Sequence, residues 1–485
     1  MAVYTSSNMI ALIHNLPNEI LSEIFLCYTC ISCWPTLKLT HVCSHWRDVA
    51  LGTQELWSNI TISHNSFNVF YGPSWEEDAR GVLPLVELYL ERSKTALLDI
   101  TLEFPSMVIL SALMRHSHRW RSVTLQVKER FCETKIDHYY DLSGISGRIP
   151  KLQVLSLCYP ALDLSAEKVN TEDTILRPFT SAPKLVSIKL FAQSWDLSAE
   201  ARSRSFPVEA LSFTWRRLTS VTINCVALAQ VKLILILCPR LEHADFYSPW
   251  NEAKETIGII RARSQLYETD KLKHFSLNPW VHDISAIAMH TWILPSLETL
   301  ILTHARVREI TALLQRSYRH TLRKLSLHDG EWTSIELFEL FQNTPLLGDL
   351  LLRDNPFYSE NTFDNWLLRE MTYPEPDVRN SISIDTQLLP RLQYFQYMPP
   401  KSCNVNGNTM VDMIVSRSRG SPSGAAASRA GMAILRQAYF GEHRLRGHPI
   451  LNNNSIRKLE KVRREGMKVF VEGFRSTSRS YDSDE

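Results

Sequence analysis

The chain has 485 residues, 44% of them hydrophobic and 21% charged, an ordinary globular composition. Its 53 basic and 51 acidic residues leave a formal net charge of +2, which excludes a bulk electrostatic drive toward nucleic acid or a membrane surface. The best apolar run, Val231 to Cys238, is interrupted by Lys232 and falls far short of the roughly 20 residues needed to span a bilayer.

The opening MAVYTSSNMI lacks a charged region followed by an apolar run, so no secretory signal is expected and residues 1–13 read as a disordered leader. The expected compartment is the cytoplasm or nucleus, with the nine cysteines reduced and the Asn59 sequon idle. Residues 14–56 then read as a helical module. Pro17 suits the first turn of a helix, where its missing N–H costs nothing. Leu16, Ile20, Leu21, Ile24, Phe25 and Cys27 are expected on one broad apolar face. A second helical stretch after Pro35 is expected to align Leu39, Val42, Cys43, Trp46 and Val49, with Gly52 stopping it before Leu56 and Trp57. Some 45 residues are too few for a self-sufficient core. One face should therefore pack inward and onto the body of the chain, and the other needs a partner.

The order Leu16-Pro17-Asn18-Glu19-Ile20-Leu21, Ile24-Phe25, Val42-Cys43-Ser44-His45-Trp46-Arg47 and Leu56-Trp57 resembles the F-box motif. The resemblance covers about a tenth of the chain. It implies a three-helix module that docks on the small adaptor subunit of SCF-type ubiquitin ligases and, through it, on cullin. Carried over residue by residue, the adaptor contacts would be Leu16, Pro17, Ile20, Leu21, Ile24, Phe25, Val42, Cys43 and Trp46.

From residue 57 a pattern of apolar, two residues, apolar, one residue, apolar recurs. Nine strong copies begin at Leu152, Leu185, Leu218, Leu241, Leu272, Leu297, Leu322, Leu347 and Leu392. Weaker ones begin at Trp57, Leu97, Trp120 and Leu435. The last two apolar positions have strand periodicity. Pro150, Pro183, Pro239, Pro295, Pro345 and Pro390 stand just upstream, where proline ends a helix and feeds a strand. Helix-period segments lie between copies: Leu228, Val231, Leu235 and Leu237; Ile310, Leu313 and Leu314; Ile335, Phe338 and Phe341. One strand plus one helix cannot bury its apolar face alone, whereas stacked units share a continuous core.

This pattern resembles the leucine-rich-repeat superfamily, degenerately, because the asparagine or cysteine that normally comes after the strand is missing from most copies. The resemblance implies an α/β fold: an irregular solenoid over residues 57–474, with parallel strands on the concave face and helices on the convex face. The whole layout is similar to F-box proteins with degenerate repeats abundant in mushroom-forming fungi. Near the end, 408–416 reads as a helix and GSPSGAAAS as a flexible surface loop over about 419–430. A strand is expected at 434–440. A capping helix from Ser455 carries Ile456, Leu459 and Val462 on one stripe, Gly466 closes it, and a last strand covers 467–472. Residues 475–485 read as a disordered tail.

Cys27, Cys30 and Cys33, with His41, Cys43 and His45 nearby, have the composition of a zinc site. Cysteine on an apolar helix face behaves more often as a small hydrophobe, so no metal or cofactor is expected. The chain has no phosphate-binding GxGxxG or GxxxxGK[ST] loop and no GxSxG elbow, and His41 and His45 form HxxxH without the glutamate of a zinc hydrolase. The expectation is a non-enzymatic, substrate-recognition adaptor of a ubiquitin ligase, contacting neither nucleic acid nor membrane. Its unknown protein substrate would meet the strand surface, with Ser187, Lys189, His243, Asp245, His274, Thr299, Lys324, Asp349 and Tyr394 as candidates. The competing readings are a cysteine/histidine metal-dependent enzyme and an F-box scaffold acting outside ubiquitination.

Overall fold

Each of the nine strong copies becomes a strand that starts two residues after its first leucine. The computed structural model describes residues 16–29, 35–63, 75–103, 106–126, 142–160, 176–193, 214–224, 228–247, 267–278, 291–317, 321–330, 332–354, 363–374, 387–399, 405–419, 422–429, 432–441 and 451–471. The expected leader and tail lie outside these residues, as do residues 472–474. The chain divides into two compact units at residue 225.

The first unit opens with three helices, α1 (Asn18–Thr29), α2 (Pro35–Thr40) and α3 (Ser44–Gly52), and a 3-10 turn at Gln54–Trp57. After these come β1 (Asn59–Ile62), α4 (Trp75–Arg92), β2 (Leu98–Leu102), α5 (Met107–Met114), β3 (Trp120–Gln126), β4 (Val154–Pro160), β5 (Ser187–Gln193) and β6 (Ser220–Asn224). The strands pair in sequence order and all in parallel. In register, Ile60, Ile100, Val123, Leu155, Ile188 and Val221 form one inward row. Ile62, Leu102, Leu125, Leu157, Leu190 and Ile223 form the next, and all twelve are buried. The alternate positions carry Thr61, Thr101, Thr124, Ser156, Lys189 and Thr222 on the opposite face. Of the connections before β4, β5 and β6, the described residues hold 3-10 turns at 143–145, 177–179 and 215–217, in which Ile145, Phe179 and Trp215 are buried. The helix expected in each of these repeats otherwise falls on residues outside those described.

The second unit holds α6 (Leu228–Leu237), β7 (His243–Tyr247), β8 (Tyr267–Glu268), β9 (His274–Asn278), β10 (Trp292–Ile293), β11 (Thr299–Thr303), α7 (Val307–Arg316), β12 (Lys324–Gly330), α8 (Ser334–Gln342) and β13 (Asp349–Asp354). It continues with α9 (Asn365–Glu370), β14 (Tyr394–Met398), α10 (Gly407–Ser416), α11 (Pro422–Arg429), β15 (Gln437–Phe440), α12 (Asn453–Arg464) and β16 (Lys468–Val471). Strands β7, β9, β11, β12, β13, β14, β15 and β16 form one parallel ladder, and β8 and β10 pair separately. N-terminal helices ahead of long runs of parallel strands are the α/β repeat class expected.

Local chemistry accounts for the helix ends. Thr333 and Glu336 form a reciprocal capping box at the start of α8. Gly466, at φ 93°, sits just after α12 in the left-handed region that glycine tolerates. The second unit also buries a cation. Arg417 donates to the carbonyls of Met371, Leu388 and Leu389 at 2.6, 2.7 and 3.0 Å and lies 4.2 Å from the Tyr373 ring centroid. Burial lowers its pKa. These contacts join the chain after α9 to the turn before β14.

Two expectations here need correction. The segment read as a flexible loop is largely helix α11. Pro422 occupies its first position, and Ala425, Ala426 and Ala427 have the highest helix propensity. The stripe assigned to α8 is also rotated: Ser334, Leu337, Leu340 and Phe341 face inward while Ile335 is exposed.

Candidate docking site

In α1 the expected single face splits in two. Leu21 and Phe25, one turn apart, are each only 1% exposed, and the Phe25 ring stands 4.9 Å from that of Trp46. Ile20 and Ile24, also one turn apart, are each 48% exposed; Tyr28 continues their line and Pro17 precedes it, also exposed. Side chains at i and i+4 lie on one side of a helix, so α1 presents one sealed apolar stripe and one open one.

The second predicted helix is broken. The helical course leaves α2 after Thr40 and restarts at Ser44, where Cys43 is extended and its Sγ accepts from the Trp46 N–H at 3.4 Å. Leu39 and Val49 turn inward, whereas Val42, in the intervening turn, is 59% exposed. Hydrogen bonds fix the module. Arg47 Nε donates to the Thr40 carbonyl at 2.8 Å and Trp57 Nε1 to that of Ala50 at 2.8 Å. Thr36 Oγ1 donates to the Leu56 carbonyl at 2.8 Å. The Trp57 ring meets Tyr89 of α4 edge-on at 5.0 Å, which anchors the module on the first repeats.

Of the nine residues carried over as adaptor contacts, Pro17, Ile20, Ile24 and Val42 are exposed, and Leu16, Cys43 and Trp46 are half-buried. Leu21 and Phe25 are sealed within this molecule, which corrects their assignment to the open surface; the Phe25 ring packs on Trp46 of α3. Tyr28, absent from that set, belongs to the open line through its i+4 spacing from Ile24.

Cys27 is exposed on α1; Cys30 and Cys33 lie outside the described residues. Among the described residues, no group of three or more His, Cys, Asp or Glu could hold a metal ion. No described helix is long and apolar enough to cross a membrane.

The strand-face candidates all occupy positions opposite the core rows. Ser187 and Lys189 stand on β5. His243, His274, Thr299, Lys324, Asp349 and Tyr394 fall in one register row across the second unit. Several of the second unit's candidates engage one another: His274 Nε2 lies 2.9 Å from Asp245 Oδ1, and Lys324 Nζ lies 3.2 Å from Asp349 Oδ2. Beside them Lys273 pairs with Glu242 at 2.8 Å, which lowers the carboxyl and raises the ammonium pKa. On an exposed surface such a pair adds little stability. The same face continues onto Gln396, Gln437, Tyr439, Lys468 and Phe470, which were not singled out from sequence. Two-residue spacing within the copies at 392–397 and 435–440 and the strand at 467–472 would have found them.

The open apolar line lies on a helical module that precedes the parallel-strand repeats. Residues 13–63 match the family model described as F-box-like, so this chain carries an F-box-like domain. A search of curated proteins finds no match. The domain supports a general role in substrate recognition by SCF-type ubiquitin ligases, and F-box proteins are typically adaptors rather than enzymes. It implies interaction with the small adaptor subunit and cullin of those complexes.

Proposed function

We propose that this chain is a substrate-recognition adaptor, in which the α1 line of Pro17, Ile20, Ile24 and Tyr28, together with Val42, docks on the small adaptor subunit while the strand surface binds a protein substrate. The observation that supports it most is the split of α1. A helix that already has a core face keeps a second row of large apolar side chains in water, and such a row is a liability unless a partner covers it. Tethering would then act by proximity, raising the effective concentration of substrate lysines near the conjugating enzyme.

Affinity capture of the tagged full chain, with mass spectrometry of the bound proteins, tests this. The wild type is expected to retain the adaptor subunit and cullin, and the Ile20→Asp, Ile24→Asp double variant to lose both. Capture of the adaptor without cullin would favour a scaffold outside ubiquitination. Equal recovery of the adaptor by wild type and variant would remove the proposal.

A further inference from the structure

The outward face of β14, β15 and β16 differs from the rest of the second unit's strand surface. Two register rows cross it: Tyr394, Gln437 and Lys468, then Gln396, Tyr439 and Phe470. Aromatic and amide side chains therefore alternate over three neighbouring strands, about 5 Å apart across the ladder and about 7 Å apart along each strand. Tyr394 is 41% and Phe470 51% exposed. Over β7 to β13 the charged side chains are engaged with one another or with a neighbour: Lys273 with Glu242, Lys324 with Asp349, and Asp245 with the His274 ring. Here they are not: Lys468, and Arg436 just before β15, are exposed and have no ion pair among the described residues, and the acid that shares the row, Asp349, is already engaged by Lys324.

We propose that this aromatic–amide patch is where the strand surface grips its protein partner, and that the part gripped is an extended, acidic peptide segment bearing an aromatic or large aliphatic side chain. The inference rests on the adaptor reading and names the substrate class for it. Rigid aromatics supply contact area at small entropic cost, the glutamine amides suit the N–H and C=O groups of an extended backbone, and the two exposed cations favour carboxylates. A single-stranded nucleic acid would also stack on aromatics, but it needs a cationic groove that tracks its phosphates, and among the described residues two cations beside a row of amides do not make one.

Selection of a random-peptide phage library on the full chain tests the proposal, with affinity measurement on the enriched peptides made synthetically. Enriched sequences are expected to pair an aromatic or large aliphatic residue with Asp or Glu. A Tyr439→Ser, Phe470→Ser variant should bind them about 10-fold or more weakly, and Lys468→Glu should weaken them and flatten their salt dependence. Unchanged thermal unfolding of both variants shows that the fold is intact. Failure to enrich any peptide, enrichment of basic sequences, or equal binding by wild type and variants would overturn the proposal. So would an oligouridine that binds wild type and is lost from the variants, in that case in favour of RNA. The Ile20→Asp, Ile24→Asp variant should keep peptide binding while losing the adaptor, so failure of the docking reading and failure of this one give different patterns.

Discussion

Replacing Ile24 by aspartate, against Leu21→Asp three positions earlier, separates the two sides of α1. Ile24 is 48% exposed, so docking has about half of the side chain left to bury, worth roughly 0.8–1.5 kcal/mol. An aspartate there would bring an unpaired carboxylate into the covered interface at a further cost of about 1–3 kcal/mol or more. The sum, roughly 2–5 kcal/mol, weakens adaptor binding by about 30-fold to several thousand-fold. In the free chain the same carboxylate stays in water, so stability should change by no more than about 0.5 kcal/mol. Leu21, at 1% exposure, behaves in the opposite way: its carboxylate would sit against the module core and cost about 4 kcal/mol or more of a total on the order of 5–15 kcal/mol. Calorimetric titration with the purified adaptor subunit, beside thermal unfolding of each variant, reads both quantities. If Ile24→Asp unfolds as early as Leu21→Asp, or binds the adaptor as wild type does, the division of α1 into an inner and an outer stripe is wrong.

Arg417→Met should cost about 3–5 kcal/mol in denaturant unfolding, because three buried carbonyls lose their donor together; a loss below about 1 kcal/mol would mean that water replaces the guanidinium. Gly330→Ala should destabilise by about 1–3 kcal/mol, since a Cβ there would strike the Trp332 ring and lie 2.8 Å from the Ala305 carbonyl oxygen; wild-type stability would show that the turn can relax. Burial holds the His328 imidazole below its ordinary value of 6.5. The unfolded chain thus binds this proton more readily than the folded one. The stabilisation from neutral His328 is fully present above about 6.5 and is lost as pH falls through the lowered folded value. Urea unfolding at about pH 7.5 and about pH 5.5 should show a smaller acid loss for His328→Gln than for wild type, and equal losses would exclude this group as the source.

The strands were legible because their pattern has only one reading: two apolar positions separated by one residue, with a leucine three positions upstream, fix both register and face. The division of α1 was not. Ile20 and Leu21, and Ile24 and Phe25, are adjacent pairs about 100° apart on the helix, and a periodic pattern cannot say which member of each pair turns inward. That choice is made by Trp46, which meets Phe25 from another helix. The break before α3 was hidden for a different reason: its cap is Cys43, outside the Ser, Thr, Asp and Asn set that usually marks a helix start. In α11, serines and glycines suggested a flexible loop, while Pro422 and three alanines favoured helix.

The repeats divide their labour between faces in a way that bears on recognition. Inward rows hold almost the same chemistry from strand to strand: isoleucine, leucine and valine in the first unit, with phenylalanine and tyrosine joining in the second. Outward rows do not. The first unit is mostly threonine and serine, with Lys189 and an Asp99–Arg121 pair, whereas the second passes from paired charges to aromatics. An outward side chain gains little from the core and each repeat leans only on its neighbours, so exchanging one costs little stability and disturbs little beyond the adjacent strands. The docking line on α1 is likewise free of the core that Leu21 and Phe25 provide. If the strands bind a substrate and α1 docks as proposed, the sequence can alter the one without altering the other, which is the independence that an exchangeable adaptor requires.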